Sequence, residues 1–590
     1  MCGTRNTENP AFTPEQQAYL DAFVASLDLQ ATFSEPPTGA PQPVTIHGTP
    51  YEDLCKEEVA KHDRHPWDFH AVMRDHVQAG KMPEGTDVFM FKHQGMFNVA
   101  PAMPGFMCRL RIPGCKMRGD QLRGLGDLAR DLAGGYAHVT TRGNLQLREI
   151  PAEHLLNTLT GLASVGLTSR GAGGDSVRNI TASPTAGFDR LEITNLLPYA
   201  IELHHYILQT RDLHGIPRKF NISFDNGGSI SCVSDTNDIA YLATNVQPSE
   251  ALPEGIDPGV YCRVLLGGIT GHLDFARDTG VVVKPQHTVD VSVAMLHVFI
   301  EHGDRTNRKK ARLKYVLDKH GFDWFLERTA EKLEEMGSDA QLIRLSPEHD
   351  APRQPIDRQG HIGVHPQRQD GMKYIGVALP LGRLSVEQLH GLGDIAARFG
   401  SNDIRLTVWQ NLLIPDVPED KVDDALAAIH ALGIATSASS FAAGAVACTG
   451  RFGCKFASAH TKEHAGLLVE HLQQKFELDA PINIHLTGCS HSCAQHYIGD
   501  IGLLGASTAD GREAYQVYLG GGSDQDQGIA QHLTGPVAAD ELPLLLEIVV
   551  GRYLDQRMPK ETFLQFTRRH TPEQLADLFL KPASELVEVA

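Results

Sequence analysis

Gln121-Leu122-Arg123-Gly124-Leu125-Gly126-Asp127 recurs as Gln388-Leu389-His390-Gly391-Leu392-Gly393-Asp394, 267 positions later. The same offset superposes Pro113 on Pro380, Thr140 on Thr407, Asn144 on Asn411 and Gly166 on Gly433. Chance does not hold a register over such a distance, so the stretch belongs to a duplicated unit whose period is far too long for a solenoid. Each copy predicts a strand (107–112; 374–379), a helix, an alternating strand (138–147; 404–414), a second helix and a glycine turn.

That order suggests an α+β fold built from two ferredoxin-like half-domains. Outward from them, Tyr261-Cys262-Arg263-Val264-Leu265-Leu266-Gly267-Gly268 is echoed by Tyr515-Gln516-Val517-Tyr518-Leu519-Gly520-Gly521-Gly522, so the duplication extends through a larger α/β domain in each half. The chain then divides into 1–85, an N-terminal helix over 13–29 with a proline-rich strap over 31–50; 86–168, the first half-domain; and 169–345, the first α/β domain. Residues 346–436 form a linker rich in Pro, His and charge with the second half-domain, and 437–590 the second α/β domain. Two pseudo-equivalent halves leave a crevice between them, a usual place for a cofactor.

The 590 residues carry 42% hydrophobic and 21% charged side chains, the balance of a multidomain globular protein. A net charge of −19 disfavours nucleic acid and anionic membrane as partners. The polar start Met1-Cys2-Gly3-Thr4-Arg5-Asn6 and the lack of a long apolar run predict a cytoplasmic protein. No G-x-G-x-x-G fingerprint is present, so neither flavin nor nicotinamide binding is expected and electrons would come from outside.

Ten cysteines in 590 residues are too few for a disulfide scaffold. Cys2, Cys55, Cys108, Cys115, Cys232 and Cys262 are scattered and read as inert. Cys448, Cys454, Cys489 and Cys493 form Cys-x5-Cys and Cys-x3-Cys pairs among Gly450, Gly453 and Gly488. Four thiolates are what a cubane 4Fe–4S cluster requires, and the spacing of Cys489 and Cys493 puts both on one face if a helix begins there. Zinc competes, although its structural sites favour tighter knuckles than Cys-x5-Cys.

Basic residues concentrate in the first copy. Strand alternation puts Arg109 and Arg111 on one side, and likewise groups Arg142, Asn144 and Gln146. Val177-Arg178-Asn179 and Pro217-Arg218-Lys219-Phe220-Asn221 follow. The second copy has Gly376 against Arg109 and Trp409 against Arg142, so only one copy kept the charge. The strongest basic run is 305–314, RTNRKKARLK; read as a helix, it sets Lys310 and Lys314 on one face and Arg305, Arg308 and Arg312 on another.

Over 85–575 the chain resembles the siroheme-dependent nitrite and sulfite reductases, in particular the ferredoxin-nitrite reductase branch, on the strength of the two cysteine pairs. The resemblance implies a 4Fe–4S cluster on Cys448, Cys454, Cys489 and Cys493, with Cys493 also the axial ligand of siroheme. It departs from the usual Gly-Cys-Pro-Asn-Ser-Cys wording at Ser490 and His491. It further implies Arg109, Arg178, Lys219 and Asn221 as substrate residues; sulfite reductases read Lys-x-Lys where this chain has Lys219-Phe220-Asn221. Siroheme carboxylates need cations and polar partners, for which Arg142, Asn144, Gln146, Lys310 and Arg312 are the candidates. The implied reaction is reduction of nitrite to ammonium, with ferredoxin or flavodoxin as donor. A sulfite reductase, or a non-catalytic iron–sulfur carrier on the same scaffold, is the alternative.

Overall fold

The computed structural model describes residues 45–254 and 256–581. The expected helix over 13–29 and most of the strap lie outside them. Two compact units divide at Asp53. In the first, Thr45–Ile46 and Thr49–Pro50 pair antiparallel. The second begins at Leu54 and holds everything discussed below, including helices Lys56–Asp63 and His70–Gln78, so 54–85 belongs to the same unit as the half-domains.

The repeated heptapeptide lies on helices Gly119–Leu132 and Val386–Phe399, which pack against each other. Leu122, Leu125 and Ala129 on the first and Leu389, Leu392 and Ala396 on the second are buried in one core shared by both copies. A Cβ on Gly119 would stand 2.5 Å from the Gly393 oxygen, and a Cβ on Gly393 would stand 2.5 Å from the Gly119 oxygen. Glycine at both positions is what lets the two backbones touch. The repeated glutamines do matching work: Gln121 Oε1 accepts from Arg118 N and its Nε2 donates to Gly166 O, while Gln388 Oε1 accepts from Ser385 N and its Nε2 donates to Leu432 O. Each ties a helix start to the turn that closes its own copy.

The half-domains exchange strands. Four strands of the first copy, Met96–Asn98, Phe106–Arg109, Leu145–Ile150 and Tyr136–Val139, are completed by Arg383–Ser385 of the second. Reciprocally, Gly363–Pro366, Met372–Val377, Leu412–Pro418 and Asp403–Leu406 are completed by Lys116–Arg118 of the first. The single alternating strand expected over 138–147 is thus a hairpin: Thr140 N bonds Asn144 O across a turn in which Gly143 has φ +52° and a Cβ would strike Cys115 Sγ. The copy at 404–414 turns in the same way, Thr407 N to Asn411 O.

The larger domains repeat one topology. In the first, Thr181–Ala182, Ile222–Asp225 and Ile239–Val246 run parallel, and Gly259–Leu266 and Arg277–Val283 follow antiparallel. In the second, Ala445–Ala447, Ile484–Thr487 and Ile501–Ser507 run parallel, followed by Glu513–Leu519 and Gln531–Ala538 antiparallel. Even the ionic anchor recurs. Asp238, just before the third strand, accepts from Asn221 N and pairs with Arg312; Asp500, at the same place in the second domain, accepts from Asn483 N and pairs with Arg358.

Candidate active site and metal centre

The two domains use opposite ends of their parallel strands. Arg178 and Lys219 each lie three residues before a strand of the first domain, whereas Cys448 and Cys489 lie just after strands of the second. Crossing the sheets this way brings the basic loops over the cysteines, so Lys219 and Arg109 both act electrostatically on Cys493.

Around the thiols the backbone folds tightly. Cys448 N bonds Leu486 O, Gly488 N donates to Cys448 Sγ at 3.2 Å, and Thr461 Oγ1 stands 3.5 Å from the same sulfur. No helix starts at Cys489. Two turns follow instead, Ser492 N to Cys489 O and Gln495 N to Ser492 O, with Ser492 and Gln495 in left-handed conformations. Thr141 Oγ1 donates to Cys493 O at 2.9 Å, fastening the cysteine loop to the hairpin tip of the first half-domain. Cys493 has open surface, yet burial pushes its thiol up to about 11, Cys448 and Cys489 adding to the rise and Lys219 and Arg109 opposing it. Exposure together with desolvation marks a group at the bottom of a crevice.

The donor set fits a cluster better than a single ion. Among the described residues no three metal-ligating side chains stand close enough to share one metal. Cys493 nonetheless feels Cys448 and Cys489, and Cys489 feels Cys454. Four thiols that interact without converging suit an inorganic core several atoms wide. The crevice is equally suited to a polyanion. Half-buried Arg109, Arg142, Arg178, Lys219 and Lys92 line it, and buried Arg142 Nε and Arg148 Nε lack any hydrogen-bond acceptor. Burial, then the facing guanidinium of Arg109, works against the charge on Arg178, a cost that an anion would offset.

Each expected side chain has a definite place. Arg109 lies over the Phe97 ring, its guanidinium carbon 4.6 Å from the centroid. Arg178 donates to Ala172 O and Gly174 O, both at 2.7 Å. Burial, then Arg312 and Arg178, lowers the Lys219 ammonium to about 7. Asn221 is half-buried beside Asp238. Arg142 sits in the hairpin turn and donates to Asn179 O and Asn237 Oδ1. It therefore does not share a strand face with Asn144 and Gln146. Asn144 is spent on Leu110 O and Leu145 N, as its repeat Asn411 is on Leu379 N; Gln146 accepts from Arg148. Both Asn144 and Gln146 are buried. Arg111 is also buried, donating to His204 Nδ1, Gly171 O and Val177 O.

The run 305–314 is a loop up to Arg312, not a helix; helix Leu313–His320 starts after it. Acids from distant segments hold it: Arg305 pairs with Glu58, Arg308 with Asp175, Arg312 with Asp238 and Lys314 with Asp274. Arg312 is therefore engaged by a carboxylate, and Lys310 is exposed on the loop. Arg308 is spent on Asp175, while Lys309 and Lys310 remain exposed.

Sequence reasoning missed two groups. Arg148, buried on strand Leu145–Ile150, donates to Gly453 O and Thr449 Oγ1 and so braces the Cys448–Cys454 loop. Its alternation with Gln146 was the available signal. Asp175, fully buried, takes both guanidinium nitrogens of Arg308 at 2.7 and 2.9 Å, Lys61 at 3.2 Å and Arg218 at 3.4 Å. Nothing local in the sequence marks it.

Two family models match in duplicate. The nitrite and sulphite reductase 4Fe–4S domain covers residues 173–336 and 442–570, and the nitrite/sulfite reductase ferredoxin-like half domain covers 102–165 and 365–432. A ferredoxin–nitrite reductase of Synechococcus elongatus is 34% identical, over 80% of this chain and 91% of its own. A ferredoxin sulfite reductase of Mycolicibacterium paratuberculosis is 33% identical, over 80% and 83%. The solved structure of the Mycobacterium tuberculosis NirA protein superposes with a TM-score of 0.80 at 28% identity, covering 88% of this chain and 97% of that one. Duplicated half-domains, duplicated α/β domains and four cysteines beneath a cationic crevice therefore belong to a member of the nitrite and sulfite reductase family, an oxidoreductase that binds siroheme and a 4Fe–4S cluster.

Proposed function

We propose that this chain is an assimilatory nitrite reductase that takes electrons from an external carrier such as ferredoxin or flavodoxin and works in the cytoplasm. Reduction of nitrite to ammonium and two waters consumes six electrons and eight protons. The bound siroheme and cluster supply the electron transfer. Cys448, Cys454, Cys489 and Cys493 would hold the cluster, Cys493 would also reach the siroheme iron, and Arg142 and Arg148 would face anionic groups with their unpaired nitrogens.

The protein's own part is electrostatic and protic. Arg109 and Arg178 attract and orient a small anion with fixed charge. Lys219, lowered to about 7, can give up a proton and regain one near neutral pH, which suits a donor in a reaction that consumes many. The observation that favours nitrite is Asn221. Two residues after Lys219 it would leave a neutral side chain, where a second lysine would suit a dianion better than a monoanion.

Among the described residues no helix is long and apolar enough to cross a membrane, in keeping with a carrier in free solution. The sulfite reading stays in play because relatives with either name match at nearly equal identity. Rates on nitrite and sulfite with reduced methyl viologen, beside an absorption spectrum of the purified protein, decide between them. A higher kcat/KM on sulfite would overturn the assignment, and absence of siroheme bands would remove the catalytic reading altogether.

A further inference from the structure

Three carboxyls crowd one arginine where the two α/β domains meet. Asp225 ends strand Ile222–Asp225, Asp235 lies on the turn Ser234–Thr236 of the first domain, and Asp524 opens the turn Asp524–Asp526 of the second. Asp524 N donates to Asp235 Oδ2 at 2.7 Å, and Gln527 Nε2 donates to the same oxygen at 3.1 Å. In return, Ser231 Oγ donates to Asp524 Oδ2 at 2.6 Å. Arg353 spends its terminal nitrogens on Asp225 and on Gly228 O, and its Nε has no partner. Its guanidinium is therefore bonded to neither Asp235 nor Asp524.

Asp235 is 3% exposed, and its Oδ1 is buried without a hydrogen-bond partner. A bare ionised oxygen is costly in such a place, and a second carboxylate beside it adds to the cost. Burial, then Asp524, pushes the Asp235 carboxyl up; burial, then Asp225, pushes Asp524 up against the pull of Arg353. The Cys232 thiol at the same joint is pushed up by burial, then Asp225, and stays neutral. Val233 and Asp524 both hold left-handed backbone, φ +54° and +55°, which persists in a β-branched residue only where its surroundings enforce it.

We propose that the Asp235–Asp524 contact is a proton-dependent clasp between the two α/β domains, closed while one of the two carboxyls carries a proton and opened as both ionise, the proton leaving to water. The clasp reaches the crevice within two residues. Thr236 Oγ1 accepts from Gln495 Nε2 at 3.0 Å, and Asn237 Oδ1 accepts from Arg142 Nη2 at 2.9 Å. Gln495 lies two residues beyond Cys493, so one joint steadies both the cysteine loop and the hairpin arginine. An enzyme whose reaction consumes protons is slowed in this way as protons run short. That brake rests on the reductase reading above; the clasp itself does not.

Asp235→Asn keeps an acceptor for Asp524 N and cannot ionise. The infrared difference at pH 7 between natural holoprotein and this variant should contain the carbonyl band of an un-ionised carboxylic acid, which disappears as pH is raised. Asp524→Asn takes the like charge away from Asp235 and should move that disappearance toward acid. Absence of the band, or a titration that Asp524→Asn leaves in place, would overturn the shared proton. Hydrogen exchange over 231–237 and 523–528, compared between natural protein and Asp235→Asn at equal pH, reads the clasp. A carboxyl raised in the folded state contributes stability that is full below its unfolded pKa, near 3.9, and is lost as pH rises toward the folded value. The natural-to-variant ratio of opening constants should therefore rise about tenfold per pH unit from pH 5 to the midpoint of the band, then level off. A ratio independent of pH would refute the clasp. Turnover with methyl viologen, natural over variant, should fall across the same range; a flat turnover ratio beside a rising exchange ratio removes the brake and keeps the clasp.

Discussion

Replacing Asp175 with Asn tests whether one buried carboxylate organises the substrate side of the crevice. The change keeps the shape and removes the charge. Three cations, Arg308, Lys61 and Arg218, then lose their shared counter-ion; Glu58 is already divided between Lys61 and Arg305, and Arg308 keeps only Glu57 at 3.8 Å. Removing one partner of a buried ion pair costs about 3–5 kcal/mol, because the remaining charges stay desolvated. The loss should spread to function, since Arg178 hangs from Ala172 O and Gly174 O in the loop that Asp175 pins. Burial alone would raise this carboxyl, but Lys61, Arg308 and Arg218 hold it well below the usual carboxylate range. A depressed acid contributes stability that is fully present above its unfolded pKa, near 3.9, and is lost only as pH falls through the folded value, so the deficit of Asp175→Asn should be constant from pH 5 to 8. Urea unfolding followed by tryptophan fluorescence measures it, with the KM for nitrite as second readout. Arg308→Met on the variant background should cost less than on the natural one. A loss below about 1 kcal/mol, or strict additivity of the two changes, would refute the hub.

Cys493→Ser should lose both siroheme bands and cluster iron, whereas a variant with full content of each would show that the sulfur is not shared. Asn221→Lys should move kcat/KM toward sulfite: a charge pair at about 4 Å is worth roughly 4 kcal/mol at an effective dielectric near 20 before desolvation, enough for a tenfold change in preference. An unchanged ratio would end the role of Asn221 and leave the assignment standing. Acid should destabilise the fold early. Burial lowers His93 to about 3 and His204 to about 2, and each accepts a hydrogen bond through a ring nitrogen, His93 from Asp175 N and His204 from Arg111 Nε. The unfolded chain takes up those protons first, so below pH 6.5 each histidine should cost about 1.4 kcal/mol per pH unit. Equal urea midpoints at pH 5 and pH 7 would contradict this.

The duplication could be read from the sequence because its signature is itself a contact: Gly119 and Gly393 touch across the two helices, and any larger residue at either would separate them. The cysteine pairs were legible for a similar reason, since ligand chemistry fixes residue type. Asn144 misled because alternation was carried through a turn; its recurrence as Asn411 in the uncharged copy already pointed to a structural task. The basic run misled because its partners lie far off in sequence. Glu58, Asp175 and Asp238 engage Arg305, Arg308 and Arg312 from separate segments, and no local pattern reports such pairings. The exchanged strands, three residues each, are too short to carry a period at all.

Those exchanged strands govern the order in which a nascent chain can become a protein. Lys116–Arg118 has no sheet to join until Asp403–Leu406 has been made, about 285 residues later. At roughly 5–20 residues per second the ribosome takes about 15–60 s over that interval. For most of it the first sheet also lacks Arg383–Ser385 beside Tyr136–Val139, leaving a strand edge open to any passing chain. The first half therefore cannot finish folding as an independent module, and a cell making this enzyme must shelter an incomplete sheet until the second copy arrives.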